Sequence, residues 1–153
     1  MKTVVLGIGN LLLADEGVGV HAARALAQEE LRGETEILDV GCAFLDALPA
    51  LEDADRIIIV DAMEAGEAPG TVYRIPFAEC RSRQMGGSLH NFDLARALFL
   101  CGRTSVPEVV VYGVEPAAIE WGLDLSPQVQ ETFGPLLEAI RSEIAGEAVQ
   151  GFA

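Results

Sequence analysis

Apolar and polar positions along this chain switch between two periods, and the switches mark its elements. Lys2 to Ile8 is a short, β-branched apolar run of the kind buried on both faces of a parallel sheet. From Gly17 to Leu31 the period becomes helical, with Val18, Ala22, Ala25 and Leu26 recurring on one side and Glu29, Glu30 and Arg32 towards the end. Thr35 to Val40 reads as a second strand with Asp39 at its end, and Ala43 to Leu51 as a short helix interrupted by Pro49. Arg56 to Asp61 is the clearest strand: four branched residues in a row, then an acid. Met63 to Gly70 is a loop. Thr71 to Ile75 returns as a strand antiparallel to its neighbour, because the connection is too short for a crossover helix. Phe77 to Gly87 reads as a loop, carrying Arg81, Arg83 and a Gly86-Gly87 pair.

Ser88 opens a helix whose apolar face is Leu89, Phe92, Leu94, Ala95, Leu98 and Phe99, and Gly102 closes it. Pro107 to Val114 is the last strand. Ser126-Pro127 supplies a cap and a first-turn proline for the final helix, striped by Val129, Phe133, Leu136, Leu137, Ile140 and Ile144, with a kink expected at Gly134-Pro135. Strands alternating with helices predict a three-layer α/β/α sandwich: a mainly parallel, twisted sheet of about five strands, one of them antiparallel. Residues 1–146 are expected to form one domain and 147–153 a frayed tail.

Charge narrows the partners. With 24 acidic and 10 basic residues among 153, the formal charge is −14, which disfavours nucleic acid and anionic membranes, since both are bound through lysine and arginine. No basic-then-apolar leader precedes the first strand and no apolar run approaches bilayer length, so a cytoplasmic protein is expected. Cys42, Cys80 and Cys101 are odd in number and widely spaced, which indicates neither a disulfide framework nor a thiolate metal site. Cys101, inside Leu98-Phe-Leu-Cys101, is expected to fill core, and His21 to be a surface or packing residue of the first helix.

The stretch Leu6-Gly-Ile-Gly-Asn-Leu-Leu-Leu-Ala-Asp-Glu-Gly-Val-Gly19 carries the first candidate chemistry, where a strand hands over to a helix and open α/β sheets bind their ligands. A dinucleotide fingerprint fails, because Gly7-x-Gly9-x-x-Leu12 lacks the third glycine, and Asp15 and Glu16 would repel a phosphate. A cation suits the loop better. Glu16 after the first strand, Asp61 at the end of the isoleucine-rich strand and His90 at a helix start all fall towards the sheet's carboxyl edge. Two carboxylates and an imidazole make a mixed oxygen and nitrogen site suited to zinc or nickel. Each also has an ordinary structural task open to it: Asp61 as a turn cap, Glu16 answering a helix dipole, His90 as a hydrogen-bonded first-turn residue.

Gly9-Asn-Leu-Leu-Leu-Ala-Asp-Glu-Gly-Val-Gly19, Ile59-Val-Asp-Ala62, Pro69-Gly70, Ser88-Leu-His90 and Gly113-Val-Glu-Pro116 together resemble the hydrogenase maturation endopeptidases, in order from the first strand to the last helix. The resemblance implies an endopeptidase that trims the carboxyl-terminal extension of a nickel-iron hydrogenase large-subunit precursor. It further implies metal ligands at Glu16, Asp61 and His90 and nickel that arrives already in the precursor, with no organic cofactor. Two departures stand out. Ala14 replaces a glycine common in the family, which bears on loop geometry, and Asn91-Phe92 replaces a more usual glutamine and small residues after the histidine.

No Gly-x-Ser-x-Gly elbow is present and Cys42 has no evident histidine partner, so a side-chain nucleophile is the weaker option. Asp15 or Asp39 is the expected nearby base or supporting group, with the metal polarising a carbonyl or activating water. Two other readings compete. A nickel-binding chaperone would use the same ligands without cutting. A peptidyl-tRNA hydrolase shares a Gly-Ile-Gly-Asn strand end, but the acidic balance argues against it.

Overall fold

Ile57 to Val60 are each no more than 1% exposed, because the strand they form has neighbours on both edges and covering layers on both faces. The computed structural model describes residues 1–41, 44–82, 96–103, 105–149 and 151–152. Five strands, β1 (Lys2–Ile8), β2 (Glu34–Gly41), β3 (Arg56–Ala62), β4 (Val72–Pro76) and β5 (Glu108–Val114), form one sheet in the order β2-β1-β3-β5-β4. The pairings of β1 with β2, β1 with β3, and β3 with β5 are parallel, and β4 runs antiparallel to β5. The helices are α1 (Val18–Leu26), α2 (Leu48–Leu51), α3 (Phe77–Ser82), α4 (96–100) and α5 (Pro127–Ile144), with 3-10 turns at Ala14–Gly17 and Phe44–Ala47.

Alternation along the strands divides the core in two. Val4, Leu6, Ile8, Ile57, Ile59, Val109 and Val111 face Ala47, Leu51, Ala97 and Leu98. Val5, Ile58, Val60, Val110 and Tyr112 face Val18, Ala22 and Leu26 of α1 and Val129, Leu136 and Ile140 of α5. Each such aliphatic side chain contributes about 1.5–3 kcal/mol on full burial. The expected three-layer sandwich is therefore present. A polar network ties α5 to the sheet: Arg74 donates to both carboxylate oxygens of Glu143, Tyr112 Oη donates to one of them, and Arg56 reaches the Glu143 carbonyl.

Several expectations change. The short connection after β3 does not pair β4 with β3; β5 inserts between them. The reason lies in the residues, since β5 is buried at six of its seven positions and needs a central place, whereas β4 leaves Arg74 half-buried and Pro76 exposed. A proline without a donor suits an edge. Residues 77–82, expected as a loop, are helical, and α1 stops at Leu26 instead of continuing to Leu31. The last helix begins with Ser126 as its cap, the Ser126 hydroxyl accepting from the Val129 amide, and runs as one element through Gly134-Pro135. Its tail is not frayed along its whole length. Val149 and Phe152 pack against the α5-side core, and the Phe152 ring meets Tyr112 edge-on at 6.3 Å. Cys101 does line the core and its thiol lies 3.5 Å from the Leu48 carbonyl. Among the described residues no helix is long and apolar enough to cross a membrane.

Close packing of α1 depends on two glycines. A Cβ at Gly19 would fall on the carbonyl oxygens of Val60 and Ile8, and one at Gly7 on the Gly19 carbonyl. The task that a fingerprint's third glycine performs is thus done by Gly7 on the strand and Gly19 inside the helix. Gly19→Ala is expected to destabilise the protein by about 3 kcal/mol or more, because backbone atoms cannot give way. Gly134→Ala, in open space on α5, is expected to stabilise by about 0.5–1 kcal/mol. Urea denaturation of the two variants reads both effects.

Candidate active site

The loop between β1 and α1 is built by short local bonds. Asn10 accepts from the Leu12 amide through Oδ1 and from the Leu13 amide through its carbonyl, and the Glu16 amide donates to the Leu13 carbonyl. The 3-10 turn that follows sends its two adjacent acids in different directions. Asp15 is fully buried and Glu16 half-exposed.

Asp15 Oδ2 accepts from the amides of Ala117 and Ala118 at 2.8 and 2.9 Å, and Oδ1 from the Ser126 amide at 2.7 Å. Burial alone pushes this carboxyl up, but the Ser126 amide and hydroxyl and the amides of Ala118 and Ala117 together hold it below its ordinary value. An ionised carboxylate with both oxygens engaged in this way is an anchor for the 116–126 loop and not a proton carrier.

Asp61 ends the run of β3 and is 7% exposed. Burial pushes its carboxyl well above the ordinary range, the Ala62 amide bonded to Oδ1 at 2.8 Å opposes this, and the charge of Glu16 adds to the rise. Gly9 lets the backbone of Glu16 lie close to the rim beside Asp61. At φ +127° it occupies backbone space that favours glycine, and a Cβ there would meet the Glu16 carbonyl and stand 3.6 Å from Asp61 Oδ1. At the sheet rim the charge of Glu16 therefore acts on the buried Asp61 carboxyl.

His90 and Cys42 lie outside the described residues. Among the described residues no group of three His, Cys, Asp or Glu side chains clusters as a metal site would. Asp39 is placed apart from Asp61: its parity along β2 matches Ile37, on the α1 side, while Asp61 shares the parity of Ile57 and Ile59 on the other. There Asp39 pairs with Arg24 of α1 at 2.9 Å. It is an exposed ion pair and not a neighbour of Asp61.

One residue that the sequence reading left without a role is Glu115. Its Oε1 accepts from the amides of Ala65 and Glu67 and from Tyr73 Oη, at 2.9, 3.0 and 2.8 Å. It pins the loop that follows Asp61. The signal was an acid before proline at a strand end, within Gly113-Val-Glu-Pro116. Ala14 has φ +49°, the left-handed region where the family resemblance leads one to look for glycine.

A family model described as HycI, hydrogenase maturation protease, matches residues 20–143. The chain belongs to this family. The hydrogenase 2 maturation protease of Escherichia coli is 32% identical over 155 residues, covering 98% of this chain and 94% of that protein. The hydrogenase expression/formation protein HupD of Thiocapsa roseopersicina is 33% identical over 144 residues, and this chain spans 65% of its length. Among solved structures, the hydrogenase maturating endopeptidase HybD of E. coli superposes with a TM-score of 0.83 at 33% identity, over 95% of this chain and 93% of that one. The [NiFe] hydrogenase maturation protease HybD of Thermococcus kodakarensis gives 0.75 at 25% identity, over 94% and 99%. Family members are hydrolases acting on peptide bonds, and the rim acids lie in the stretches by which this chain resembles them.

The buried aspartates Asp15 and Asp61 give opposite pH signatures. The Asp15 carboxyl is lowered, so its contribution is present above the ordinary value of 3.8 and is lost as pH falls through the folded value. The Asp61 carboxyl is raised, so its contribution is complete below 3.8 and is lost as pH rises through the folded value. Asp15→Asn is expected to cost on the order of 2–3 kcal/mol near neutral pH, with the deficit shrinking in acid. Asp61→Asn is expected to remove the part of the pH dependence that grows as pH rises through the folded value of this group. Thermal melts across pH 3 to 8, on the order of the carboxylate range, check both.

Proposed function

We propose that this protein acts in the cytoplasm as the endopeptidase that removes the carboxyl-terminal extension of a nickel-iron hydrogenase large-subunit precursor after nickel insertion. Glu16, Asp61 and His90 engage the nickel that the precursor carries. The observation that carries this reading is the pair of acids at the rim, Asp61 buried at the end of β3 and Glu16 beside it. Two carboxylates near each other at a strand end supply the oxygen donors that a divalent cation takes.

In this reading the family members' names give the reaction class and the acids give the means of recognising a loaded precursor. The nickel supplies Lewis acidity, either polarising the scissile carbonyl or lowering the pKa of a water. Asp61 contributes a carboxylate held in place by the Ala62 amide. Glu115 positions the loop next to it through Ala65 and Glu67. Asp15 keeps the turn that carries Glu16 in register with the 116–126 loop. His90 completes the ligand set through a nitrogen donor.

Incubating the protein with nickel-loaded and nickel-free precursors, followed by intact-mass measurement, tests the reading. Loss of a carboxyl-terminal peptide is expected only from the loaded precursor. Asp61→Asn and His90→Ala are each expected to reduce the rate by at least about a hundredfold, with the melting transition retained. Full trimming by both variants would discard the ligand assignment.

A further inference from the structure

We propose that Leu12 together with the segment Ile119–Asp124 is the docking surface for the hydrogenase large-subunit precursor, which meets it with an apolar patch edged by lysine or arginine. The proposal rests on the function proposed above and adds where the substrate is held.

Trp121 is 82% exposed, Leu123 59%, Leu12 51% and Ile119 45%. One exposed leucine carries no message, but four large apolar side chains on adjoining backbone do. The two segments are joined by a short parallel bridge: the Gly122 amide donates to the Leu12 carbonyl and the Ala14 amide to the Gly122 carbonyl, both at 2.9 Å. The platform is also fixed at its ends. Asp15 binds the amides of Ala117 and Ala118 before the segment and of Ser126 after it, and the Asp15 amide donates to the Ala118 carbonyl. A buried charge thus holds outward a loop whose tryptophan faces water. A pre-ordered aromatic anchor loses little freedom on binding, and tryptophan is the residue most enriched among those that dominate interface energy.

The occupant follows from charge and position. Glu120 and Asp124 are exposed and alternate with the apolar residues. No lysine or arginine occurs between Arg103 and Arg141, and the chain carries −14 overall. A second copy of this chain would set acid against acid, and an anionic lipid surface would be repelled. A partner with basic residues around an apolar patch is complementary. Position selects the precursor, because the carboxylate anchoring the platform belongs to the residue before Glu16. A protein seated on Trp121 therefore lies beside the segment that leads into Glu16.

The test uses steady-state cleavage of nickel-loaded precursor and, as a direct binding readout, the fluorine resonance of protein labelled with 5-fluorotryptophan, in which Trp121 is the sole tryptophan. Trp121→Ser combined with Leu123→Ser is expected to raise KM by about tenfold or more with kcat within about twofold and the melting temperature unchanged. Glu120→Lys combined with Asp124→Lys is expected to raise KM and to abolish its increase with salt. The fluorine resonance is expected to shift or broaden on adding precursor. An unchanged KM, or a resonance that stays put while precursor is cleaved, overturns the docking surface and leaves the proposed function intact. A resonance that moves with no cleavage by the unsubstituted protein supports the surface and overturns the protease reading. Neither response overturns both.

Discussion

A single buried carboxylate, Asp15, organises the working end of this molecule. Taking a charge out of water is costly unless its oxygens are met by donors, and here three backbone amides meet them. Those amides come from residues more than a hundred positions away in the chain, on either side of the 119–125 segment. The bond set joins the β1–α1 connection to the approach to α5, so neither can move alone. Its neighbour Glu16 inherits that rigidity without being buried itself. Adjacent acids on one turn thereby differ, Asp15 turned inward as an anchor and Glu16 half-exposed at the rim.

The second constraint is steric. The backbone of Glu16 packs onto Gly9 only because that residue has no side chain, and α1 lies close enough to β1 and β3 only because Gly7 and Gly19 have none. Ala14 shows where the same loop accepts a compromise. A left-handed alanine costs roughly 1–2 kcal/mol, but Ala14 is buried, and burying its methyl returns about 0.8 kcal/mol. Glycine at 14 would also give the unfolded chain more freedom, by about 0.4–1 kcal/mol. The terms nearly balance, so the departure from glycine at this position changes little.

Local chemistry was legible in the sequence, and placement was legible only where burial patterns decide it. The branched run Ile57–Val60 and the Ser126-Pro127 cap announced β3 and α5, and the order of family motifs announced the family. The position of β5 between β3 and β4 was not visible, because it depends on which strand most needs two neighbours. The helix at 77–82 carries too few periods to declare itself. Asp15 and Asp39 read as plausible bases by rim position alone; only side-chain direction separates them from Asp61, one turned into backbone amides and the other to the opposite face with Arg24. Docking of Phe152 onto Tyr112 likewise depends on space left by other elements.

Charge at the rim and charge over the whole surface act at different ranges. Surface charge is screened beyond about 8–10 Å at ordinary ionic strength, so a net −14 steers a basic partner inward but cannot tell a loaded precursor from an empty one. The acid pair senses only what comes into contact with it, where burial around Asp61 weakens the competing solvent. That same pair would hold any divalent cation, which by itself gives poor selectivity. The apolar platform proposed above, bonded to the turn that carries Glu16, would supply the missing discrimination, since it would meet a protein surface and not an ion. On the proposed function, recognition of the cation and recognition of its carrier would be separate contacts made through adjacent residues, Glu16 by its carboxylate and Asp15 by the loop it anchors.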